Sequence, residues 1–293
     1  MKGEKAPGVR ELLLKHDIRL SKSRGQCFLV DKNIPEKIVR LSGLDDTCGV
    51  LEVGPGVGAL TEELCKKARR VLAIELDKRL LPILGDSLEG FSNVEIMQGD
   101  VMKMDIPGVA RSKMPGLDLH VCSNLPYNIT TPLLTALMAP GVFKSFVVML
   151  QREVAQRICA EPGAPEYGAF TLFACYHNLQ RKILFDVPPG CFIPRPNVVS
   201  SVVFMEARPE RLLGPGDEKD LFKVVRAAFS QRRKILVNAL HAGYGEFLGK
   251  DCIAGIVAKC GLDGNARGEE LGLEDFIALS AAINNELRVT ANG

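Results

Sequence analysis

The sequence predicts an α/β fold, a mostly parallel sheet covered by helices, followed by a small all-helical domain. Three observations predict it. Short apolar runs alternate with amphipathic stretches through the first two-thirds of the chain, the rhythm of successive βαβ units. One of those runs enters a glycine turn that opens a helix. Near residue 208 the strand signals stop, and only helix-period apolar residues follow.

In chain order, the expected strands are Gly49–Val53, Val71–Glu75, Val94–Gln98, Leu117–Ser123 and Ser145–Gln151, with helical patterns such as Leu60–Lys67 and Pro132–Met138 between them. Lys182–Asp186 and Val198–Met205 read as two more strands. They flank Val187–Pro196, where Pro188, Pro189, Pro194 and Pro196 forbid a helix and predict a rigid loop. Arg208-Pro209 and Gly214-Pro215-Gly216 have linker composition. Beyond them, Asp220–Leu240, Lys250–Lys259 and Leu273–Glu286 carry apolar residues at helical spacing. The expected domains are therefore 1–207, a ligand-binding sheet domain, and 208–293, a helical one.

The composition of the 293 residues, 46% hydrophobic and 25% charged, leaves ample material for a core of that size. No apolar run approaches the roughly 18 residues of a membrane span, and MKGEKAPGVRELLLKH lacks the apolar region of a signal peptide. A soluble, cytoplasmic protein is the expectation. Nine cysteines lie scattered without a Cys-x-x-Cys pair, which points to reduced thiols rather than a disulfide framework or a zinc site. A net charge of +2 neither demands nor excludes nucleic acid. An RNA-binding surface would have to come from local clustering, such as Gln231-Arg232-Arg233-Lys234.

Leu51-Glu52-Val53-Gly54-Pro55-Gly56-Val57-Gly58 is a strand running into a glycine turn and then a helix. Glycines let the backbone turn tightly and approach a ligand, and the helix start offers free N–H groups. The spacing is Gly-x-Gly-x-Gly, unlike the Gly-x-Gly-x-x-Gly of dinucleotide binders, so NAD is the weaker cofactor alternative. Glu75 ends the next strand, where a carboxylate can accept bonds from both ribose hydroxyls of a nucleoside. Asp100, after the third strand, is placed to reach its adenine. Taken singly, these are ordinary loop glycines and surface acids. Their placement at consecutive strand ends, where parallel sheets bind ligands, favours a nucleoside site.

The fourth strand ends in Ser123-Asn124-Leu125-Pro126-Tyr127-Asn128. Asn and Pro are common in turns that lead helices, but the set also suits a particular chemistry. The N6 lone pair of adenine is delocalised into the ring, so that nitrogen is a poor nucleophile. Acceptors that hold its protons favour a pyramidal nitrogen whose lone pair points at a methyl donor. The Asn124 side-chain oxygen and the Leu125 carbonyl, on a turn stiffened by Pro126, are suitable acceptors. Tyr127 offers a face on which an extruded base can stack. Catalysis there would be mostly positioning and electrostatics.

The chain resembles the bacterial ribosomal RNA adenine N6,N6-dimethyltransferases of the small subunit along nearly its whole length. The segments that carry the resemblance are Ser21–Leu29, Glu52–Gly56, Ile74–Asp77, Asn124–Pro132, Phe192–Pro196, Ala228–Lys234 and Glu269–Phe276. The resemblance implies a Rossmann-like class I methyltransferase sheet with S-adenosyl-L-methionine as cofactor. It implies that Cys27 and Leu29 line the cofactor site, that Gly54 and Gly56 face the methionine part, and that Glu75 takes the ribose and Asp100 the adenine. Asn124 would border both cofactor and target, and Phe192 would stack on the target adenine opposite Tyr127. The implied substrate is two adjacent adenines near the 3′ end of 16S rRNA, met within an assembling small ribosomal subunit. No metal is implied.

Two departures stand out. Cys27 occupies a position where the family usually has Asn or His, which bears on a side-chain bond to the cofactor but not on a backbone contact. Ile235-Leu236-Val237 follows the basic cluster where the family more often has Thr and Arg. A charge run such as Arg232-Arg233-Lys234 is usually a solvated face; the resemblance makes it RNA-facing. With no Trp and four Tyr, the chain lacks an extended stacking platform, which fits structured RNA with one base drawn out. The competing readings are a macrolide-resistance methyltransferase acting on large-subunit RNA, a DNA adenine methyltransferase, and a non-catalytic assembly factor on the same fold.

Overall fold

The computed structural model describes residues 9–18, 27–231 and 234–292. The helices are α1 (Val9–Lys15), α2 (Asn33–Leu41), α3 (Ala59–Cys65), α4 (Leu81–Ser87), α5 (Ile106–Lys113), α6 (Thr130–Met138), α7 (Arg152–Cys159), α8 (Ala169–His177), α9 (Pro215–Phe229), α10 (Leu236–Tyr244), α11 (Lys250–Lys259) and α12 (Leu273–Asn292). The strands are β1 (Phe28–Leu29), β2 (Cys48–Val53), β3 (Arg70–Glu75), β4 (Val94–Gln98), β5 (Asp118–Asn124), β6 (Ser145–Gln151), β7 (Asn178–Val187), β8 (Phe192–Ile193) and β9 (Ser200–Ala207). They form two compact units, 1–155 with 180–209, and 156–179 with 210–293.

In the first unit seven strands lie in the order β4-β3-β2-β5-β6-β9-β7. β2 pairs in parallel with β3 and β5, β3 with β4, and β5 with β6, while β9 runs antiparallel to β6. Interior parallel strands are covered on both faces, so they are apolar throughout rather than alternating. β2 is buried at every position and β6 at all but its last, whereas β4, at the edge, is half-buried. Ile38 and Val39 of α2 and Leu60 and Leu64 of α3 pack with Val50, Val71, Val147, Met149 and Val202 of the sheet. Leu64 is fully buried, and truncating such a leucine to alanine costs about 2–5 kcal/mol.

The chain lays down β2, adds β3 and β4 on one side, then crosses to β5 and β6 on the other. Strand order thus reverses between β2 and β5, and there a parallel sheet opens a crevice at its carboxyl ends. The strands expected from Gly49 to Gln151 form as β2–β6, within one residue at either end. In the segment expected as a rigid loop, Pro189–Cys191 makes a 3-10 turn, and β8 pairs with β1 (Phe28 opposite Ile193, Leu29 opposite Phe192). Pairs of this length carry no periodicity for a sequence to display. No disulfide joins any of the nine cysteines, of which Cys48, Cys65, Cys122 and Cys191 are buried.

The second unit is helical. Its core gathers Leu221, Val224 and Val225 of α9, Leu236 and Leu240 of α10, Ile253 and Ile256 of α11, and Phe276, Leu279 and Ile283 of α12. The stretch expected as continuous helix over Asp220–Leu240 is broken between Phe229 and Leu236. No apolar residue stands between those positions except Ile235, so nothing there would anchor nearly two further turns to the core. Residues 156–179, inside the sheet domain by linear division at 207, belong to this unit. Leu172 and Tyr176 of α8 join its core. The Tyr167 hydroxyl donates to the Leu271 carbonyl at 2.7 Å. No helix among the described residues is long and apolar enough to cross a membrane.

Candidate active site

A cavity of about 350 Å³ opens at the carboxyl ends of β2, β3 and β5, within the first unit. That volume suits a nucleoside-sized ligand. The short segments that follow these strands, the one that follows β4, and the chain around β1 supply its walls.

The first wall is the glycine turn. Gly54, Gly56 and Gly58 all have positive φ (71°, 64° and 89°), a region that side chains with a Cβ rarely adopt. At Gly56 space is also short, since a Cβ there would lie 3.0 Å from the Phe28 ring. Beneath the turn, Glu52 is 1% exposed, and its Oε2 is buried with no hydrogen-bond partner. Burial pushes the Glu52 carboxyl up to about 8, against the pull of the nearby Thr61 hydroxyl and with the Glu75 charge adding to the rise.

Glu75 closes β3 and is 5% exposed. Its Oε2 accepts the Gly56 N–H at 3.2 Å and its Oε1 accepts the Asp77 N–H at 2.8 Å. Burial raises its pKa, while these backbone bonds pull it down. The carboxylate thus pins the glycine turn and still has lone pairs toward the cavity. Asp100, beyond β4, caps the following 3-10 turn by accepting the Met102 N–H at 3.0 Å. Leu76 and Met102, 63% and 41% exposed, stand beside these two acids as apolar cavity walls.

The third wall is the turn after β5. The Leu125 N–H donates to the Met149 carbonyl at 3.0 Å, and the Pro126 carbonyl accepts the Thr130 hydroxyl at 2.9 Å, tying the turn to the start of α6. Asn124 donates its Nδ2–H to the Cys27 carbonyl at 3.4 Å, leaving its Oδ1 buried without a partner. The Tyr127 hydroxyl is hydrogen-bonded to the Ser200 hydroxyl on β9, which fixes the half-buried ring. Burial raises the Tyr127 pKa, against the pull of Ser200.

Of the residues singled out in the sequence, Cys27, Leu29, Gly54, Gly56, Glu75, Asp100, Asn124, Leu125, Pro126 and Tyr127 all line this one cavity. Phe192 does not. It is 2% exposed in the apolar cluster under the sheet, paired with Leu29, and presents no free face for a base. Arg232 and Arg233 lie outside the described residues; Lys234 is exposed in the second unit. Sequence reading missed Glu52, Leu76 and Met102. Leu76 and Met102 did leave a trace, as apolar residues just past the two acids.

The family model for ribosomal RNA adenine dimethylase matches residues 18–278. The chain belongs to that family. It is a methyltransferase, and the resemblance carried by Glu52–Gly56 and Asn124–Pro132 is thereby confirmed. This dimethylase is 44% identical over 282 residues to the ribosomal RNA small subunit methyltransferase A of Shouchella clausii, covering 94% of each chain. It is 41% identical over 281 residues to the protein of that name from Streptococcus pneumoniae serotype 2, covering 95% of this chain and 97% of that one. Among solved structures, a dimethyladenosine transferase from Plasmodium falciparum superposes with a TM-score of 0.74 at 25% identity, over 88% of this chain and 98% of that one. The 23S rRNA methyltransferase ErmE shares the fold, with a TM-score of 0.68 at 22% identity, over 88% of this chain and 99% of that one. The expected Rossmann-like methyltransferase sheet with C-terminal helices is the architecture found.

Proposed function

We propose that this dimethylase transfers methyl groups from S-adenosyl-L-methionine to N6 of two adjacent adenines near the 3′ end of 16S rRNA, within an assembling small subunit. The observation that carries the reading is Asn124. Its buried Oδ1 lacks a partner, which is costly unless a ligand donor completes it. The exocyclic amino group of an adenine is such a donor.

The cavity also fits the cofactor. Glu52 keeps a buried, unpartnered Oε2 that suits an ammonium group, and the Gly56 cradle would be filled by any Cβ. Glu75 is the ribose acceptor in this reading, Asp100 the adenine acceptor, and Leu76 and Met102 the apolar walls around the ring. Cys27 and Leu29 border the same space, with the Cys27 carbonyl engaged by Asn124. When bound, the cofactor supplies an electrophilic sulfonium methyl.

Asn124 Oδ1 and the Leu125 carbonyl would hold the amino protons of the target and orient its lone pair. The Tyr127 ring, fixed through Ser200, would receive the extruded base, a contact worth about 1–3 kcal/mol. Phe192 could serve as a second face only after leaving its buried position. No strong base is needed, because the nitrogen sheds its proton readily once alkylated. Arg232, Arg233 and Lys234 are proposed as phosphate contacts. The test is to offer labelled S-adenosyl-L-methionine with undermethylated small subunits and map the label. Label confined to adjacent adenines of 16S rRNA supports the reading; label on large-subunit RNA or duplex DNA contradicts it.

A further inference from the structure

The two halves of the cavity hang on neighbouring strands, β2 leading to the glycine turn and β5 leading to Asn124. Their backbone ladder stops short. Register runs from Cys48 opposite Asp118 to Leu51 opposite Val121. Yet β2 continues to Val53 and β5 to Asn124, each held by its outer neighbour, Val53 by Ile74 and Asn124 by Met149. Pairing between β2 and β5 alone is therefore lost just before the cavity.

One side chain fills the gap. The Ser123 hydroxyl donates to the Val53 carbonyl at 2.6 Å and accepts the Val53 N–H at 3.2 Å. Ser123 is 1% exposed, so water cannot replace it cheaply. Both backbone groups of Val53 are satisfied by one hydroxyl where a ladder partner would otherwise stand. The hydroxyl thus ties the two strand ends together where their backbones no longer pair directly. Immediately beyond the tie lie Gly54 on one side and Asn124 on the other.

We propose that Ser123 is a positioning residue for methyl transfer, whose hydroxyl sets the separation between the glycine turn and Asn124. The inference rests on the methyl-transfer reading above. In that reaction the acceptor nitrogen must approach the methyl carbon to about 3–3.5 Å, and a displacement near 1 Å costs about 100-fold in rate. Of the cofactor contacts proposed above, those from Glu52, Gly56, Glu75 and Asp100 lie on the β2–β3–β4 side, and only Asn124 ends β5. Loss of the tie therefore disturbs the distance between the partners more than the binding of either.

The experiment compares Ser123→Ala and Ser123→Thr with the wild type in single-turnover methylation at saturating cofactor and RNA. Cofactor affinity and hydrogen exchange at the Val53 amide are measured in parallel. For Ser123→Ala the rate falls about 30- to 100-fold, cofactor Kd moves less than about threefold, and Val53 exchange accelerates. Ser123→Thr, which keeps the hydroxyl, recovers the rate to within about fivefold and restores Val53 protection. An Ala variant with wild-type rate overturns the proposal. So does an Ala variant that loses rate, affinity and thermal stability together with no rescue by Thr, since that is a structural role only. A wild type that makes no methylated adenine overturns the methyl-transfer reading itself, and the proposal with it.

Discussion

Asn124, in the lining of the cavity, gives its amide N–H to the Cys27 carbonyl, 3.4 Å away, and so leaves its Oδ1 buried without a partner. The bond comes from the backbone of residue 27, so the cysteine there does not disturb it. Asn124→Ala is expected to lower methyl transfer about 100- to 1,000-fold, the usual effect of removing one preorganised polar group from a transition state. Cofactor affinity should change little. Rapid-quench methylation alongside calorimetry separates the two; equal losses in both would make Asn124 a cofactor ligand alone.

Glu75 has a double duty that predicts an outsized effect. It holds the Gly56 and Asp77 N–H groups and faces the proposed ribose position. Glu75→Ala should weaken S-adenosyl-L-methionine binding by at least about 10-fold, since hydrogen bonds to a charged group contribute about 1.5–3 kcal/mol. Glu75→Gln, which loses one backbone acceptor but keeps the other, should be intermediate. Calorimetric titration of both variants checks this; unchanged affinity removes Glu75 from the site.

Glu52 predicts a pH dependence. Burial raises its carboxyl from an ordinary 4.5 to about 8. An acid raised by folding stabilises the folded state fully below its unfolded value and loses that contribution as pH climbs through the folded one. The ligand-free protein should therefore lose stability between pH 4.5 and about 8, by on the order of a few kcal/mol. Glu75, also raised by burial, contributes with the same sign. Chemical denaturation across that range should show a flatter slope for Glu52→Gln. If Glu52 receives the cofactor's ammonium, binding below pH 8 releases a proton, and affinity rises toward that pH. Calorimetry in buffers of different ionisation enthalpy counts the proton; no release would free Glu52 from that role.

The sheet was legible because interior parallel strands are unbroken apolar runs, and Gly54–Gly58, Glu75 and Asn124 sit where those runs end. What escaped the sequence depends on distant partners. The burial of Phe192 follows from its pairing with Leu29, far off in the chain. The membership of Leu172 and Tyr176 in the helical core follows from residues beyond 210. Glu52 reads as one more strand residue until the fold shows it buried, with its Oε2 unpartnered.

RNA binding is expected to be electrostatic and to draw on Arg232, Arg233 and Lys234. Neutralising three phosphate contacts should reduce the slope of log affinity against log salt by up to about 3. Subunit binding measured across a salt series tests this. An unchanged slope would make the cluster a solvated face.

The most direct test of the central claim counts methyl groups on the product. After one transfer N6 keeps a single hydrogen, which either Asn124 Oδ1 or the Leu125 carbonyl can hold. The first methyl then takes the space of the other contact, and the nitrogen can react again. Mass spectrometry of nuclease-digested 16S rRNA, taken at saturation with S-adenosyl-L-methionine, should show N6,N6-dimethyladenosine dominating at two adjacent positions, with the monomethyl species only transient. Stable accumulation of N6-monomethyladenosine by the wild type would contradict the account.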